Sequence, residues 1–245
     1  MTYAFGDTDL ARERLALLAA TFERPTRTLL RDLPGGGAGA GYRYVIDMGC
    51  GPGFTTALLR EEIPHSFATG IDSSPAMIEE ARGRVPDAYF TVADVNAPLS
   101  LPAHLIYARM LLGHLPDPGA ALATWGAALR VGGVVVCEEP VRYHSVDPVF
   151  ARYEGVVTAV VAAKGSTLWA GPVLDRDPPN CRRVLDRVVQ HPVPAARAAA
   201  MFWRNAATWG GEPDLVESLR EIERAGPGET VVWELRQTVW SKVAE

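Results

Sequence analysis

The chain has 245 residues, enough for one large domain or for a domain with a cap. Its composition, 48% hydrophobic and 22% charged, is typical of a globular protein with a sizeable core. The net charge of −5 gives no support for nucleic acid as a partner, because domains that bind nucleic acid are more often basic. Three scattered cysteines, Cys50, Cys137 and Cys181, indicate neither a disulfide framework nor a zinc site.

The sequence shows no leader peptide and no apolar run long enough to span a membrane. We therefore expect a cytoplasmic protein with no membrane partner. No group of residues resembles a metal site. The oligomeric state is left open by the sequence, and a homodimer is one arrangement compatible with it.

Residues 1–33 predict an N-terminal helical segment. Asp9 can cap a helix whose apolar residues recur at helical spacing as far as Phe22. Pro25 is expected to break or restart this helix. The glycine-rich residues 34–41 predict a flexible joint that lets this segment move against the rest of the chain. The alternative is a helix packed on the sheet with a frayed end.

Between residues 44 and 139 the sequence alternates strand and helix signals. Short apolar strands separated by helices predict an α/β fold with a parallel sheet covered on both faces. Ligands of such sheets bind beyond the carboxyl ends of the strands. The predicted strands are 44–48, 67–71, 89–92, 104–108 and 134–137, and the predicted helices are 55–62, 75–84 and 118–129.

A glycine-dense turn, Asp47-Met-Gly-Cys-Gly-Pro-Gly53, follows the first strand. Gly49, Gly51 and Gly53 allow positive φ angles and let a ligand approach the backbone closely. The dinucleotide fingerprint requires G-x-G-x-x-G, whereas this turn has G-x-G-x-G, so a nicotinamide cofactor is disfavoured. The alternative is a tight turn without a ligand.

Acidic residues lie at or just after the ends of the first three predicted strands. Asp47, Asp72 and Asp94 are spaced about one strand-helix unit apart. A carboxylate after the second strand can accept hydrogen bonds from both ribose hydroxyls, and one after the third can accept from an adenine amine. Helix capping is the alternative for Asp72, which precedes Ser73, Ser74 and Pro75.

Five segments together closely resemble the motifs of the class I S-adenosylmethionine-dependent methyltransferases, and within them the small-molecule, natural-product branch. They are 47–53, 70–82, 92–95, 107–118 and 129–136. The resemblance implies S-adenosylmethionine as the cofactor, and it implies that residues 1–33 form an N-terminal helical lid that closes over cofactor and substrate. It also implies a Rossmann-like, doubly wound, seven-stranded sheet that is mostly parallel with an antiparallel last strand.

The resemblance also assigns residues to the cofactor. It places Gly49 and the backbone near Arg109 at the amino acid end, Asp72 on the ribose and Asp94 on the adenine. The full predicted set is Asp47, Gly49, Gly51, Gly53, Asp72, Ser73, Met77, Asp94, Val95 and Arg109.

Beyond Glu139 the pattern is looser. By the resemblance, residues 42–245 form the methyltransferase domain, and strands near 184–189 and 230–243 form its final antiparallel hairpin. Helices are predicted at 149–163, 194–208 and 214–225, so a helical insertion at about 194–225 lies between the last two strands. The aromatic residues near Trp203 can either roof a substrate pocket or form plain core.

Methyl transfer from a sulfonium is an in-line displacement, which needs a base only if the nucleophile must lose a proton. Candidate bases near the ends of the fourth and fifth strands are Glu138, Glu139, Tyr143 and His144. His144 is favoured because the ordinary histidine pKa suits proton removal near neutrality, and a solvated loop histidine is the alternative. His114 is interpreted as a packed or capping residue.

The predicted function is methyl transfer to an oxygen or nitrogen nucleophile of a small molecule such as a secondary metabolite. Alternatives are a cyclase or a cofactor-binding protein that transfers no methyl group. A methyltransferase acting on a carboxylate or amine of a peptide or protein is a further alternative.

Overall fold

The computed structural model of the chain describes residues 8–36, 41–99 and 102–244. The helices are α1 (Asp9–Arg31), α2 (Phe54–Glu62), α3 (Pro75–Arg84), α4 (Pro118–Ala128), α5 (Pro148–Ala163), α6 (Ala195–Thr208) and α7 (Pro213–Ala225). The strands are β1 (Tyr44–Met48), β2 (Phe67–Asp72), β3 (Tyr89–Val92), β4 (Ala103–Arg109), β5 (Leu129–His144), β6 (Cys181–Pro194) and β7 (Thr230–Lys242). Short 3₁₀ turns lie at Leu112–His114 and Gly171–Asp175.

The seven strands form one sheet in the order β3-β2-β1-β4-β5-β7-β6. The first five strands run parallel, and β7 is antiparallel to both of its neighbours, β5 and β6. This arrangement confirms the predicted Rossmann-like sheet. Within the described residues, no helix combines the length and the apolar content needed to cross a membrane.

Alternating side chains of the central strands are buried on opposite faces of the sheet, as the pleat of a strand requires. On one face, Ile106 and Val135 pack in a cluster with Trp125 of α4. On the other face, Val136 packs in a cluster with Leu29 of α1 and with residues of α2. The near-continuous apolar runs of β1 and β4 follow from this burial on both sides.

β5 and β6 are much longer than the sequence predicts, whereas β7 matches the predicted strand 230–243 closely. β5 has 16 residues, although the prediction covers only 134–137, and β6 begins and ends beyond 184–189. The extra length of β5 comes from pairing with β7, which continues from Val134 to His144 across a bulge between Pro140 and Arg142. Because this pairing is long-range, the charged residues after Cys137 give no local strand signal.

A helical cap formed by α5, α6 and α7 packs on the extended parts of these strands. Its core is aromatic, with Tyr153 stacked on Phe202 at 4.1 Å between ring centroids and Tyr143 5.3 Å from Trp233. Phe202 and Trp203 are buried in this core, so they are core residues rather than an open roof. α6 and α7 lie between β6 and β7, where the helical insertion was predicted.

The prediction that Pro25 breaks the first helix is wrong. α1 runs without interruption from Asp9 to Arg31, although Pro25 has no N–H to donate to the carbonyl of Thr21. His191 of β6 takes the place of that missing donor, since its Nε2 lies 2.7 Å from the Thr21 carbonyl oxygen. A tertiary hydrogen bond therefore compensates for the proline, and no local pattern could reveal it.

The two halves of α1 have different surroundings. The half that contains Thr26, Leu29 and Leu30 is buried against the sheet, whereas the N-terminal half packs on α6. The half beside the predicted joint is thus the anchored one, so we expect any lid motion within the N-terminal half. Residues 1–7 and 37–40, which belong to the predicted lid and joint, lie outside the described residues.

Candidate active site

The register of the sheet brings the predicted site residues to one edge. Met48 pairs with both Ile71 and Ala108, and Arg109 pairs with Glu138. The glycine turn after β1, Asp72 at the end of β2 and Arg109 at the end of β4 therefore lie at the carboxyl ends of adjacent strands. This is the edge at which parallel sheets bind ligands.

The three glycines of the turn all have positive φ, but they are needed for different reasons. A Cβ on Gly49 would lie 2.7 Å from a methyl carbon of Leu111, and one on Gly53 would lie 3.1 Å from the Cα of Ala81. A Cβ on Gly51, at φ +51°, would meet no atom of the described residues within 4 Å apart from its chain neighbours. Gly51 thus leaves open space beside the turn, where a ligand can lie against the backbone.

Asp47, in the last part of β1, links the turn to the start of α2 through hydrogen bonds. Its carboxylate is buried, and one oxygen accepts hydrogen bonds of 2.6 Å from the hydroxyls of Thr55 and Thr56 in the first turn of α2. Burial raises the pKa of Asp47 to about 6, and the two hydroxyls and the charge of Arg109 oppose the rise. Asp47 therefore fixes the start of α2 relative to β1.

Asp72 connects the turn to the start of α3. One carboxylate oxygen accepts from the Gly51 N–H and the other from the Ser74 N–H, both at 2.9 Å. Ser73 is exposed beside it, and Met77 is buried in the first turn of α3. Each oxygen of Asp72 keeps a second lone pair that can accept from a ligand.

Asp94 and Val95 follow β3 at the same edge. The exposed carboxylate of Asp94 accepts from the backbone N–H and the side-chain amide of Asn96, and these bonds lower its pKa. Val95 is buried, and its carbonyl accepts a 2.8 Å hydrogen bond from the Trp125 indole. Hydrogen bonds from Asn96 and Trp125 therefore hold this segment in place.

A buried hydrogen-bond network connects α1 to the strand ends. Arg109 donates to the hydroxyl of Thr26, which donates in turn to Glu138 at 2.7 Å. Glu138 also accepts from the Tyr107 hydroxyl at 2.6 Å and from the Gln237 amide at 2.7 Å. With three donors around its two oxygens, Glu138 is a structural acceptor that holds Arg109 and α1 in place.

Glu139 points to the opposite face of β5, as expected for adjacent strand residues. One of its oxygens accepts from the backbone N–H groups of Leu111 and Leu112 at 2.9 and 2.8 Å, so it caps the 3₁₀ turn after β4. Burial raises the pKa of Glu139 to about 8, although these two bonds oppose the rise. This side chain is therefore largely protonated at neutral pH.

The raised pKa of Glu139 predicts that the protein loses stability as the pH increases. The folded state keeps a proton that the unfolded chain loses near pH 4.5. The protonated Glu139 carboxyl therefore contributes fully to the free energy of unfolding below that pH, and this contribution is lost as the pH rises through about 8. Between pH 7.0 and 8.5 we expect a loss of about 1 kcal/mol in the free energy of unfolding, measured by urea denaturation.

Glu139→Gln provides the matched control, because glutamine keeps the acceptor oxygen and cannot lose a proton. The variant should show this pH dependence reduced by about 1 kcal/mol over the same interval. Equal pH dependence in both proteins would show that Glu139 is ionised in the folded state.

The two candidate histidines lie in different environments. His114, in the 3₁₀ turn, is partly buried, and desolvation together with the charge of Arg14 lowers its pKa to about 4. His144 is half exposed, and its Nε2 lies 3.0 Å from Glu234. It follows Glu138 by six residues, or about 20 Å of extended strand, so its position gives no support to the prediction that it acts as a base.

The remaining candidate base, Tyr143, is also engaged. Its buried hydroxyl donates to the carbonyl of Phe150 at 2.7 Å, and burial raises its pKa well above the usual value. Sequence reasoning missed Thr26, Gln237 and the buried Arg14, because nothing local distinguishes them from surface residues of a helix or strand.

Comparisons with known proteins identify the class to which this fold and site belong. A family model described as a methyltransferase domain matches residues 5–175. The chain belongs to the class I S-adenosylmethionine-dependent methyltransferases, and its cofactor is S-adenosylmethionine. The open cradle at Gly51, with Asp72 beside it, fits that cofactor.

Among its relatives, the chain is 32% identical to a trans-aconitate 2-methyltransferase of Paracidovorax citrulli, over 83% of this chain and 80% of that protein. It is 41% identical to the enzyme of the same name from Escherichia coli O139:H28, over 50% of this chain and 47% of that protein.

Solved structures share the fold at low sequence identity. Coclaurine N-methyltransferase, bound to N-methylheliamine and S-adenosylhomocysteine, superposes with a TM-score of 0.56 at 14% identity, covering 98% of this chain and 77% of that one. The YcgJ protein of a Bacillus species superposes with a TM-score of 0.54 at 13% identity, covering 96% of this chain and 100% of that one.

Proposed function

We propose that the chain transfers the methyl group of S-adenosylmethionine to a carboxylate oxygen of a small organic acid with several carboxylates, forming a methyl ester. The observation that carries this proposal is the state of the basic groups at the strand edge. Glu138 is held by three donors, Glu139 holds a proton, and His114 has a pKa of about 4. A nucleophile that is already ionised suits such a site.

A carboxylic acid with an ordinary pKa near 4 is ionised at neutral pH and needs no base. The relatives named trans-aconitate 2-methyltransferase support an acid as the acceptor, because their name specifies one. When bound, S-adenosylmethionine supplies a methyl group on a positively charged sulfur, which the acceptor oxygen takes by in-line displacement while the C–S electron pair stays on sulfur.

The residues predicted from the sequence provide the cofactor site in this proposal. The turn at Gly49, Gly51 and Gly53 receives the methionine part, and Arg109 lies at its amino acid end. Asp72 accepts from the ribose hydroxyls through its remaining lone pairs. Ser73 and Met77 flank the adenosine, and Asp94 with the Val95 N–H contacts the adenine.

The N-terminal half of α1 orients the substrates and limits the access of water. Arg12 forms an ion pair with Glu80 of α3, and Glu13 forms one with Arg204 of α6. These two ion pairs hold the N-terminal half of α1 between α3 and the helical cap. Alignment of the reacting atoms and exclusion of water are the main contributions that a protein makes to this reaction.

An oxygen or nitrogen atom of a larger secondary metabolite is the second candidate acceptor. The half-buried indoles of Trp169 and Trp209 favour it, because each lies beside a tyrosine at the edge of the aromatic core. Aromatic side chains of this kind commonly line pockets for extended apolar ligands.

An acceptor panel tests the proposed function. The protein is incubated with methyl-labelled S-adenosylmethionine and with trans-aconitate, other small di- and tricarboxylates, phenols, amines and peptides. We expect label in a polycarboxylate and its release by mild alkali, as an ester requires. An alkali-stable product formed only with phenols or amines would contradict the proposal, and tight cofactor binding without any S-adenosylhomocysteine release would favour a protein that transfers no methyl group.

A further inference from the structure

We propose that Arg43, His104 and Arg130 form a binding site for an oxyanion of a small molecule, that is, for a phosphate group or a carboxylate. The site lies at the edge of the sheet where the parallel strands begin, opposite the cofactor turn. It is independent of the proposed function, because it involves neither the cofactor nor the acceptor that is methylated.

One cavity of about 350 Å³ is lined by all three residues. Arg43 directly precedes β1, His104 is the second residue of β4, and Arg130 is the second residue of β5. These three strands are adjacent in the sheet, in the order β1-β4-β5, so their first residues meet at one edge. Because a water molecule takes up about 30 Å³ of liquid, the cavity can hold a small anion together with hydration water.

A bulge in β5 brings Arg130 to His104. The register between β4 and β5 shifts between Ala103 and Leu105, where residues 130–133 lie opposite His104 alone. Extra residues of this kind leave the ladder and redirect side chains. As a result, Nη1 of Arg130 lies 2.8 Å from Nε2 of His104.

The imidazole of His104 faces a hydrogen-bond donor at each of its two nitrogens. The backbone N–H of Tyr44 points at Nδ1 at 3.3 Å, and the guanidinium of Arg130 points at Nε2. A neutral imidazole has one acceptor nitrogen and one N–H, and its charged form has no acceptor. One of the two contacts therefore sets a donor against a donor, so this group has one acceptor too few.

An oxyanion supplies the missing acceptor. When the proton of His104 is on Nε2, Nδ1 accepts from the Tyr44 N–H, and the Nε2–H and the Arg130 guanidinium can both donate to the ligand. The contact with His104 uses one of the five guanidinium N–H donors, so the others remain for the anion. The planar fork of arginine matches the oxygens of a phosphate or carboxylate, and such charge-assisted hydrogen bonds are the strong ones.

The charge around the cavity also favours an anion. Within the part of the chain that the structure describes, neither Arg43 nor Arg130 forms an ion pair with a carboxylate, whereas Arg27 pairs with three glutamates. Desolvation and the charges of Arg130 and Arg43 lower the pKa of His104, as expected beside uncompensated positive charge. Both arginines are exposed, so a ligand can reach them from solvent.

The site is well separated from the cofactor edge. His104 precedes Arg109 by five residues of β4, which is about 17 Å of extended strand. An anion bound to His104 is therefore too far away to contact a cofactor at the glycine turn, and both ligands can be bound together.

The test measures the Kd of inorganic phosphate by NMR titration of backbone amide signals, with sodium chloride keeping the ionic strength constant. We expect a Kd on the order of 1 mM, as two charge-assisted hydrogen bonds allow. The amide signals of Tyr44 and His104 should shift, and that of Gly51 should not.

Two arginine variants make the test specific. Arg130→Met should raise the Kd of phosphate about 10-fold, because it removes a charge-assisted donor. Arg24→Met, which removes an exposed arginine of α1 outside this cavity, should leave the Kd unchanged. If Arg130→Met does not fold, Arg43→Met is used, and the same increase is expected.

Two further ligands distinguish the sources of the oxyanion. Glucose 6-phosphate carries a phosphate group and tricarballylate carries three carboxylates, and the one that binds more tightly identifies the group that the site prefers. Saturating S-adenosylhomocysteine should leave the Kd of phosphate unchanged, because the nucleoside occupies the other edge of the sheet.

Three outcomes would overturn this site. They are anions that bind no better than chloride, a Kd of phosphate that is equal in wild type and in the folded arginine variant, and phosphate that is displaced by S-adenosylhomocysteine. A protein that methylates no acid would contradict the proposed function and leave this site standing.

Discussion

Replacement of Gly51 by alanine is expected to weaken the binding of S-adenosylhomocysteine about 100-fold or more, with only a small loss of stability. The new Cβ would point into the open space beside the turn, where the proposed site holds the cofactor against the backbone. At φ +51° an alanine costs about 1 kcal/mol in the folded state. Isothermal calorimetry gives the Kd, and urea denaturation gives the free energy of unfolding.

Gly132→Ala is the matched control for this change. Gly132 also has a positive φ, of +77°, and a Cβ there would likewise meet no described atom within 4 Å beyond its chain neighbours. It lies near the start of β5, at the opposite end of the sheet from the cofactor turn. The two variants should therefore lose similar stability, and only Gly51→Ala should lose affinity. Equal affinity in both would show that the ligand does not lie against Gly51.

Asp72→Ala is expected to raise the Kd of S-adenosylhomocysteine about 100-fold. The change removes the proposed acceptor of the ribose hydroxyls and also the acceptor that fixes the Gly51 N–H. Hydrogen bonds to a charged group are worth about 1.5–3 kcal/mol each, so the loss of one or two of them accounts for this magnitude. Calorimetry on the folded variant measures the effect.

Two further variants make the result on Asp72 interpretable. Asp87→Ala removes an exposed carboxylate that forms an ion pair with Arg60 before β3, and it should not change the affinity. Asp72→Asn keeps one acceptor oxygen and should bind with an intermediate Kd. If Asp72→Ala binds the nucleoside as tightly as the wild-type protein, the assignment of the cofactor site to this edge fails.

The sequence predicted the first half of the fold closely because its signals are local. The apolar runs of β1 to β4, the glycine turn and the acids after the strands each lie within a few residues of one another. The structure places Asp72 and the turn in direct contact, as the strand-end rule requires. Because parallel strands with short helical connections can be arranged in only a few topologies, such local patterns predict the fold well.

The parts that the sequence did not predict depend on long-range contacts. Pro25 stays within a helix because His191, far along the chain, supplies a donor to the freed carbonyl of Thr21. β5 continues past Pro140 because β7 pairs with it. The burial of Arg14 likewise depends on how α1 meets the cap, which no local pattern encodes. The choice of His144 relied on its ordinary pKa and on a fifth strand that ends near residue 137, whereas β5 continues to His144.

A crystal structure with S-adenosylhomocysteine and trans-aconitate bound tests the account most directly. It should show the ribose hydroxyls on Asp72 and one carboxylate oxygen of the acid facing the sulfur. An acid bound away from the sulfur, or a nucleoside that does not contact Asp72, would contradict carboxylate methylation at this edge of the sheet.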